Sequence, residues 1–198
     1  MTFNLPILLT WVRIVFIPLL VAIYYLPADW MSGHERNLLA TTMFVVAAAT
    51  DWLDGYLARR LNQTSAFGAF LDPVADKLMV AAALIMLVQL GRTDAIIAGV
   101  IIGREITISA LREWMAKIGA ARSVAVSMVG KVKTTAQMIA IPMLLYHAPV
   151  FGVPVAEVGG WLIYVATVLT LWSMGYYMHR AWPDIVAAEK RNAKNKEA

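Results

Sequence analysis

Cysteine is absent from this chain of 198 residues. Disulfides and thiolate metal sites are excluded with it, and the redox compartment leaves no trace in the sequence. Charge is scarce as well. Only 15% of the residues are charged and 60% are hydrophobic, whereas a soluble domain carries about 25% charged and about 45–50% apolar residues. A mean hydropathy of +0.66 points the same way. The composition excludes an ordinary soluble domain and implies an integral membrane protein built as one domain. Histidine is limited to His34, His147 and His179, scattered along the chain. The N-terminus has no basic n-region, carries Arg13 inside its apolar run and shows no small-x-small cleavage site, so no signal peptide is expected. There is no repeat or low-complexity tract. The two halves show no inverted similarity, which counts against a transporter.

What the chain has is long apolar runs. A membrane-spanning helix needs about 20 mostly apolar residues. That rule gives six spans, at roughly 7–26, 37–58, 67–90, 94–116, 123–147 and 159–181. The expected fold is therefore all-α, a polytopic membrane protein with six transmembrane helices. Residues 1–181 form the membrane domain, and 182–198 form a mainly basic tail with a short interfacial helix. Pro73 is expected in the first turn of the third span, where its missing N–H costs nothing. Lys and Arg are unevenly placed. Arg59, Arg60, Lys117, Arg122, Arg180, Lys190, Arg191, Lys194 and Lys196 fall on one side, and only Arg36 and Arg92 fall clearly on the other. Both termini and the turn between the second and third spans are thus expected to be cytoplasmic.

That turn joins the most unusual stretch, DWLDGYLARRLNQTSAFGAFLDPVADK, from Asp51 to Lys77. It holds two aspartate pairs, Asp51/Asp54 and Asp72/Asp76, spaced i,i+3 and i,i+4. Each spacing stacks its carboxylates on one helix face. A carboxylate near the bilayer centre costs about 2.5–3.5 kcal/mol, so four together call for a compensating charge. An N-cap role for Asp72 and an ion pair from Asp51 to Arg59 or Arg60 would account for two of the four. Bound cations account for all four. Oxygen-only ligands favour a hard ion such as magnesium, calcium or manganese. Two adjacent ions with open positions suit phosphoryl chemistry. With no histidine near the cluster in sequence, any base there is a carboxylate. Gly55, Ala58 and Gly68 are small residues that would let a ligand or a neighbouring backbone come close, or would simply pack helices. Arg59, one turn away, suits a diphosphate or an interfacial anchor.

A second polar group lies in the fourth and fifth spans. Arg104, Glu105 and Arg112 sit in an otherwise apolar run, with Glu105, Ser109 and Arg112 on one stripe. Lys131 and Lys133 sit on the fifth span. Intramembrane charges face a cavity or a partner. A Glu105–Arg112 ion pair would leave Arg104, Lys131 and Lys133 unmatched. A cationic pocket beside the metals would instead suit an acceptor that carries its own phosphate. The aromatic residues Trp11, Tyr24, Tyr25, Trp30, Trp161, Tyr176, Tyr177 and Trp182 fall near span ends, as an interfacial belt does, and are assigned no chemistry.

The pattern D-x2-D-G-x2-A-R-x8-G-x3-D-x3-D is met at Asp51, Asp54, Gly55, Ala58, Arg59, Gly68, Asp72 and Asp76. It resembles the signature of the CDP-alcohol phosphatidyltransferase family. The resemblance implies a six-helix membrane fold, usually a homodimer, with two divalent cations, magnesium or manganese, near the cytoplasmic face. It maps Asp51, Asp54, Asp72 and Asp76 to metal-binding carboxylates and Asp76 also to the catalytic base. Gly55, Ala58, Arg59 and Gly68 map to contacts with the nucleotide and diphosphate of CDP-diacylglycerol. The opening NLPILLTWVR, with GREITISALREW and GKVKTTAQM further on, resembles the bacterial branch of that family whose acceptor is glycerol 3-phosphate. By that resemblance Asn4, Thr10 and Arg13 join the CDP-diacylglycerol contacts. Arg104, Arg112, Lys131 and Lys133 are the candidates for the acceptor phosphate.

The expected reaction is transfer of the phosphatidyl group from CDP-diacylglycerol to glycerol 3-phosphate, giving phosphatidylglycerophosphate and CMP. The expected setting is a bacterial inner membrane, with membrane lipids as partners and no nucleic acid. Inositol phosphate, serine or phosphatidylglycerol are rival acceptors within the family. A divalent-metal transporter is the rival from another class, separable by metal flux into sealed proteoliposomes.

Overall fold

A computed structural model describes the backbone of residues 5–60, 66–124 and 128–197. The side chains at 5–7, 52, 54–59, 66, 67, 69, 121, 129, 191, 192 and 194–197 lie outside the described set. The secondary structure of the described residues is helical. Among them six helices follow in order: α1 Leu5–Ile23, α2 Gly33–Arg60, α3 Ala66–Gln89, α4 Ala95–Lys117, α5 Met128–Tyr146 and α6 Val155–Glu197. A 3₁₀ turn at Ala121–Val124 precedes α5. Among the described residues one segment, Val155–Lys190 within α6, is both long and apolar enough to cross a membrane. The helices that carry the site break their apolar runs with charge: α4 contains Arg104, Glu105, Arg112 and Glu113, and α5 contains Lys131 and Lys133.

Local chemistry sets the helix ends. Ser32 and Glu35 form a reciprocal cap at the start of α2: the Ser32 N–H donates to Glu35 Oε2 at 2.8 Å, and the Glu35 N–H to Ser32 Oγ at 3.3 Å. Gly91 closes α3 with φ +67°, and Arg92 N–H reaches back to the Leu87 carbonyl at 2.9 Å. Gly119 repeats the device after α4, with φ +80° and Ala120 N–H bonded to the Met115 carbonyl at 2.8 Å. Asp94 caps the start of α4 by accepting from Ile96 N–H at 2.7 Å.

One expectation about proline is corrected. Pro73 lies inside α3, not in its first turn. The helix starts at Ala66, because the apolar stretch before Asp72 is already helical, and Pro73 removes one bond from the ladder. α6 runs through Pro183 as one helix. Interior proline costs about 3 kcal/mol, and packing on both sides offsets it. Tyr177, Ala181 and Ile185 are buried against Ile108, Leu111 and Met115 of α4 and Val124 of the 3₁₀ turn. Ser123 adds a hydrogen bond to Asp184. At 43 residues, α6 is about 64 Å long, roughly twice a bilayer's hydrocarbon core.

The larger core joins all six helices, through Leu20, Ala40, Phe44, Met79, Leu84, Leu87, Ile101, Ile141, Leu144 and Ile163 among others. Gly159 lets α6 approach α5 closely: a Cβ there would meet Met143 Cβ at 3.0 Å and the Ala140 carbonyl oxygen at 3.3 Å. Arg92 ties one end of the bundle together. Its guanidinium donates to the carbonyls of Leu144 and Leu145 at 3.1 and 2.7 Å and to Asn37 Oδ1 at 2.8 Å. The carbonyls at the end of α5 are thereby satisfied from outside the helix.

Candidate active site

The described polar groups of the motif gather where α1, α2 and α3 meet. Thr10 and Arg13 sit one turn apart on α1, both about 1% exposed. The Thr10 hydroxyl donates to Asp72 Oδ1 at 2.5 Å, and Arg13 Nη1 donates to Asp51 Oδ1 at 2.8 Å. One face of α1 thus holds one carboxylate from α2 and one from α3. Asp76, one turn beyond Asp72, shares a small cleft with Arg13 and lies within electrostatic reach of Asp51. Gly68, one turn before Asp72, is buried. Asp72 is therefore no N-cap: it lies inside α3 and takes its bond from α1. Asp51 pairs with Arg13; the side chain of Arg59 lies outside the described set.

Some expected site residues fall outside this description. Asn4 lies outside the described residues. The backbone of Asp54, Gly55, Ala58 and Arg59 continues α2, and their side chains lie outside the described set. Among the described residues no three His, Cys, Asp or Glu side chains form one metal-binding group. Asp51, Asp72 and Asp76 nevertheless present only oxygen donors, beside a fourth aspartate one turn along α2. That donor chemistry suits a hard divalent ion.

Next to the aspartates is a cavity of about 340 Å³. Asp76, Lys77, Arg104, Glu105, Ser109 and Arg112 bring charge and polarity to it from α3 and α4, and Gly130, Thr134 and Gln137 line it from α5. The alternative Glu105–Arg112 pair is not formed. Glu105 instead takes Arg104 Nη1 at 3.1 Å and a hydrogen-bonded ion pair from Lys133. Arg104 also donates to Ser173 Oγ of α6 at 3.2 Å. Lys133 is completely buried behind Glu105. Arg112 has no carboxylate partner among the described residues; its guanidinium lies 5.4 Å from the centroid of the Tyr177 ring. A buried ion pair needs tight geometry to offset its desolvation. Here one carboxylate serves two cations, and two more, Arg112 and Lys77, line the cavity.

The structure therefore brings Asp76, Arg104 and Arg112 into one cavity, with Lys133 behind its wall. It does not bring Lys131, which is exposed and absent from the lining. Three residues of this site were not anticipated. Lys77 lines the cavity directly after Asp76. Gln137 is buried in its wall. Tyr177 was grouped with the interfacial aromatics, yet it is 1% exposed beneath Arg112. Its spacing of four residues from Ser173 and from Ala181, along one helix stripe, was the available signal.

This architecture, a helical bundle with clustered aspartates beside a cation-lined cavity, fits the sequence match. The CDP-alcohol phosphatidyltransferase profile covers residues 3–172, and the chain belongs to that family. The chain is 50% identical over 188 residues to the CDP-diacylglycerol–glycerol-3-phosphate 3-phosphatidyltransferase of Shigella flexneri serotype 5b (strain 8401), covering 94% of this chain and 99% of that protein. It is 49% identical over the same length to the enzyme of that name from Escherichia coli (strain K12), with the same coverage.

Proposed function

We propose that this enzyme transfers the phosphatidyl group of CDP-diacylglycerol to sn-glycerol 3-phosphate, giving phosphatidylglycerophosphate and CMP. The observation that carries the reading is the shared cavity, in which Asp76 faces Arg104 and Arg112. A carboxylate suited to take a proton thus stands opposite cations suited to hold a phosphate. Lys77, Arg104, Arg112 and the underlying Lys133 outnumber Asp76 and Glu105 by two positive charges, which matches a phosphate dianion.

The family generally uses divalent cations. Asp51, Asp54, Asp72 and Asp76 would hold two of them, magnesium or manganese. When bound, such ions neutralise a diphosphate and polarise its phosphorus. Thr10 and Arg13 hold Asp72 and Asp51 in place. Gly55, Ala58, Arg59 and Gly68, with Asn4 ahead of α1, would contact the nucleotide and diphosphate of the donor. Arg112 and Arg104 orient the acceptor by its phosphate, as positioning alone supplies much of the rate in such transfers. Asp76 accepts the proton of the acceptor's primary hydroxyl. The oxygen so freed bonds to the phosphorus bearing the diacylglycerol, the bond from that phosphorus to the CMP oxygen breaks, and CMP leaves.

The same reading sets the helices in the membrane. All six cross it, with the aspartate end and both termini cytoplasmic, in a bacterial inner membrane and in a homodimer. The uneven Lys and Arg placement supports that orientation. The donor's acyl chains then stay in the bilayer while its polar head reaches water-soluble acceptor.

The test is CMP release from CDP-diacylglycerol by purified protein, with glycerol 3-phosphate, inositol phosphate, serine or phosphatidylglycerol as acceptor and EDTA as control. EDTA-sensitive release with glycerol 3-phosphate alone is the expected result. Release with a different acceptor overturns the acceptor and keeps the chemistry. Asp76→Asn should abolish turnover, and wild-type turnover in that variant rules out the base.

A further inference from the structure

Gln137 is a cavity residue to which the proposed reaction gives no part. It lies on α5, 3% exposed, and its Oε1 is buried with no hydrogen-bond partner among the described residues. Its side chain lines the same cavity as Asp76, Arg104 and Arg112. Its polar neighbours are already committed. The Thr134 hydroxyl donates to the Gly130 carbonyl at 2.9 Å, the Ser109 hydroxyl donates to the Glu105 carbonyl at 2.7 Å, and Lys133 pairs with Glu105. A buried amide oxygen left unpaired costs stability, and an apolar side chain of the same shape would avoid that cost. The amide is therefore explained by something that enters the cavity.

The chemistry of the wall says what that group is. A phosphate belongs with Arg104 and Arg112, and a reacting hydroxyl belongs with Asp76. A primary amide is neutral and offers one carbonyl acceptor and two N–H donors. It suits neither an anion in competition with two guanidinium groups nor a hydroxyl that must lose its proton. It suits a neutral hydroxyl that stays intact. Glycerol 3-phosphate has one such group, at C2, and the wall has one such amide. An inositol phosphate would bring several hydroxyls to a wall with one idle amide.

We infer that Gln137 determines acceptor specificity by hydrogen-bonding the C2 hydroxyl of the polyol phosphate. The inference rests on the proposed reaction and goes beyond it in assigning the recognition of that hydroxyl to one side chain on α5.

The experiment compares glycerol 3-phosphate with 3-hydroxypropyl phosphate, which keeps the phosphate and the primary hydroxyl and lacks only the C2 hydroxyl. Wild-type protein and Gln137→Met are assayed with both by CMP release. A site built to bond a hydroxyl rejects the analogue that lacks it, because its own polar group is then left unpaired. Wild type should favour glycerol 3-phosphate in kcat/KM by about 10- to 100-fold. In Gln137→Met that preference should fall to within about threefold of unity. The ligand-free unfolding temperature of Gln137→Met should be no lower than that of wild type, since no buried group loses a partner. A preference that survives the substitution overturns the inference alone. So does a drop of several degrees in unfolding temperature or a failure to fold, because either makes the amide structural. Absence of CMP release by wild type with both acceptors overturns the proposed reaction, and this inference with it.

Discussion

Arg112→Met isolates the acceptor phosphate from the rest of the reaction. Arg112 is the cavity-lining arginine that no carboxylate among the described residues neutralises, and its Nε is buried with no hydrogen-bond partner there. Arg104 has a buried, unpaired Nε as well, but its Nη atoms are already shared between Glu105 and Ser173. A hydrogen bond to a charged group contributes about 1.5–3 kcal/mol net. Its loss corresponds to about a 10- to 150-fold rise in KM for glycerol 3-phosphate. KM for CDP-diacylglycerol should move little, since the proposed reaction sets the donor against the aspartates. Arg112→Lys should recover only part of the loss, because an ammonium gives neither the bidentate fork nor the stacking on Tyr177. Lys131→Met is the matched control: Lys131 is exposed and absent from the cavity lining, and its KM should stay within about twofold. The assay is CMP release against acceptor concentration at saturating donor. An equal or larger effect from Lys131→Met, or an effect of Arg112→Met on donor KM alone, refutes the assignment.

The remaining predictions concern stability away from the site. Arg92→Ala removes the donor to the Leu144 and Leu145 carbonyls and to Asn37. The cost should be about 2–4 kcal/mol, or roughly 5–15 °C in unfolding temperature, with kcat/KM of the remaining folded protein unchanged. Gly159→Ala places a Cβ 3.0 Å from that of Met143 and should destabilise by about 1–3 kcal/mol. Gly160→Ala next to it meets nothing within 4 Å and should be neutral or slightly stabilising. Thermal unfolding in detergent reads both, and equal effects would refute the close approach of α5 and α6.

How far the sequence could be read depends on whether a feature is local. Asp72 and Asp76 are one turn apart on α3, and helix periodicity alone puts them on one face. Thr10 and Arg13 share a face of α1 for the same reason. Helix count was legible too, because each long apolar run produced one helix. What the sequence did not disclose was tertiary choice among equivalent charges. Glu105 could pair along its own helix with Arg112, at i+7, or across to Lys133, 28 residues away. It does the latter because α5 packs a fully buried ammonium beside it. The adjacent Arg104 is held by Ser173, 69 residues on. Neither partner is visible in any window of sequence. Tyr177 was misjudged for a related reason. An aromatic near the end of an apolar run is expected at the interface, but α6 continues past Pro183 and carries Tyr177 into a second small core. Pro73 marks the same limit: it is a strong local signal for a helix start, and it lies inside α3.

The two arginines Arg92 and Arg112 show how this bundle divides stability from function. Each is a long cation at the junction of helices, and each could be fully used by the fold. Arg92 is: its guanidinium meets three protein acceptors, two of them carbonyls that end α5. Arg112 rests on an aromatic face and leaves its Nε unmatched among the described residues. Ion pairing was available to it, since Glu105 lies on the same stripe of α4. The fold instead spends Glu105 on Arg104 and on the completely buried Lys133, a cation that would otherwise have no compensation. The consequence is a cavity whose background charge is partly balanced while Arg112 and the Gln137 amide face it unsatisfied. An incoming phosphate and hydroxyl meet groups that need no protein bond broken before they bind, so little of the binding energy is lost to rearrangement. Polar groups left short of partners beside clustered carboxylates make poor sense as structure and good sense as a site awaiting a phosphorylated alcohol.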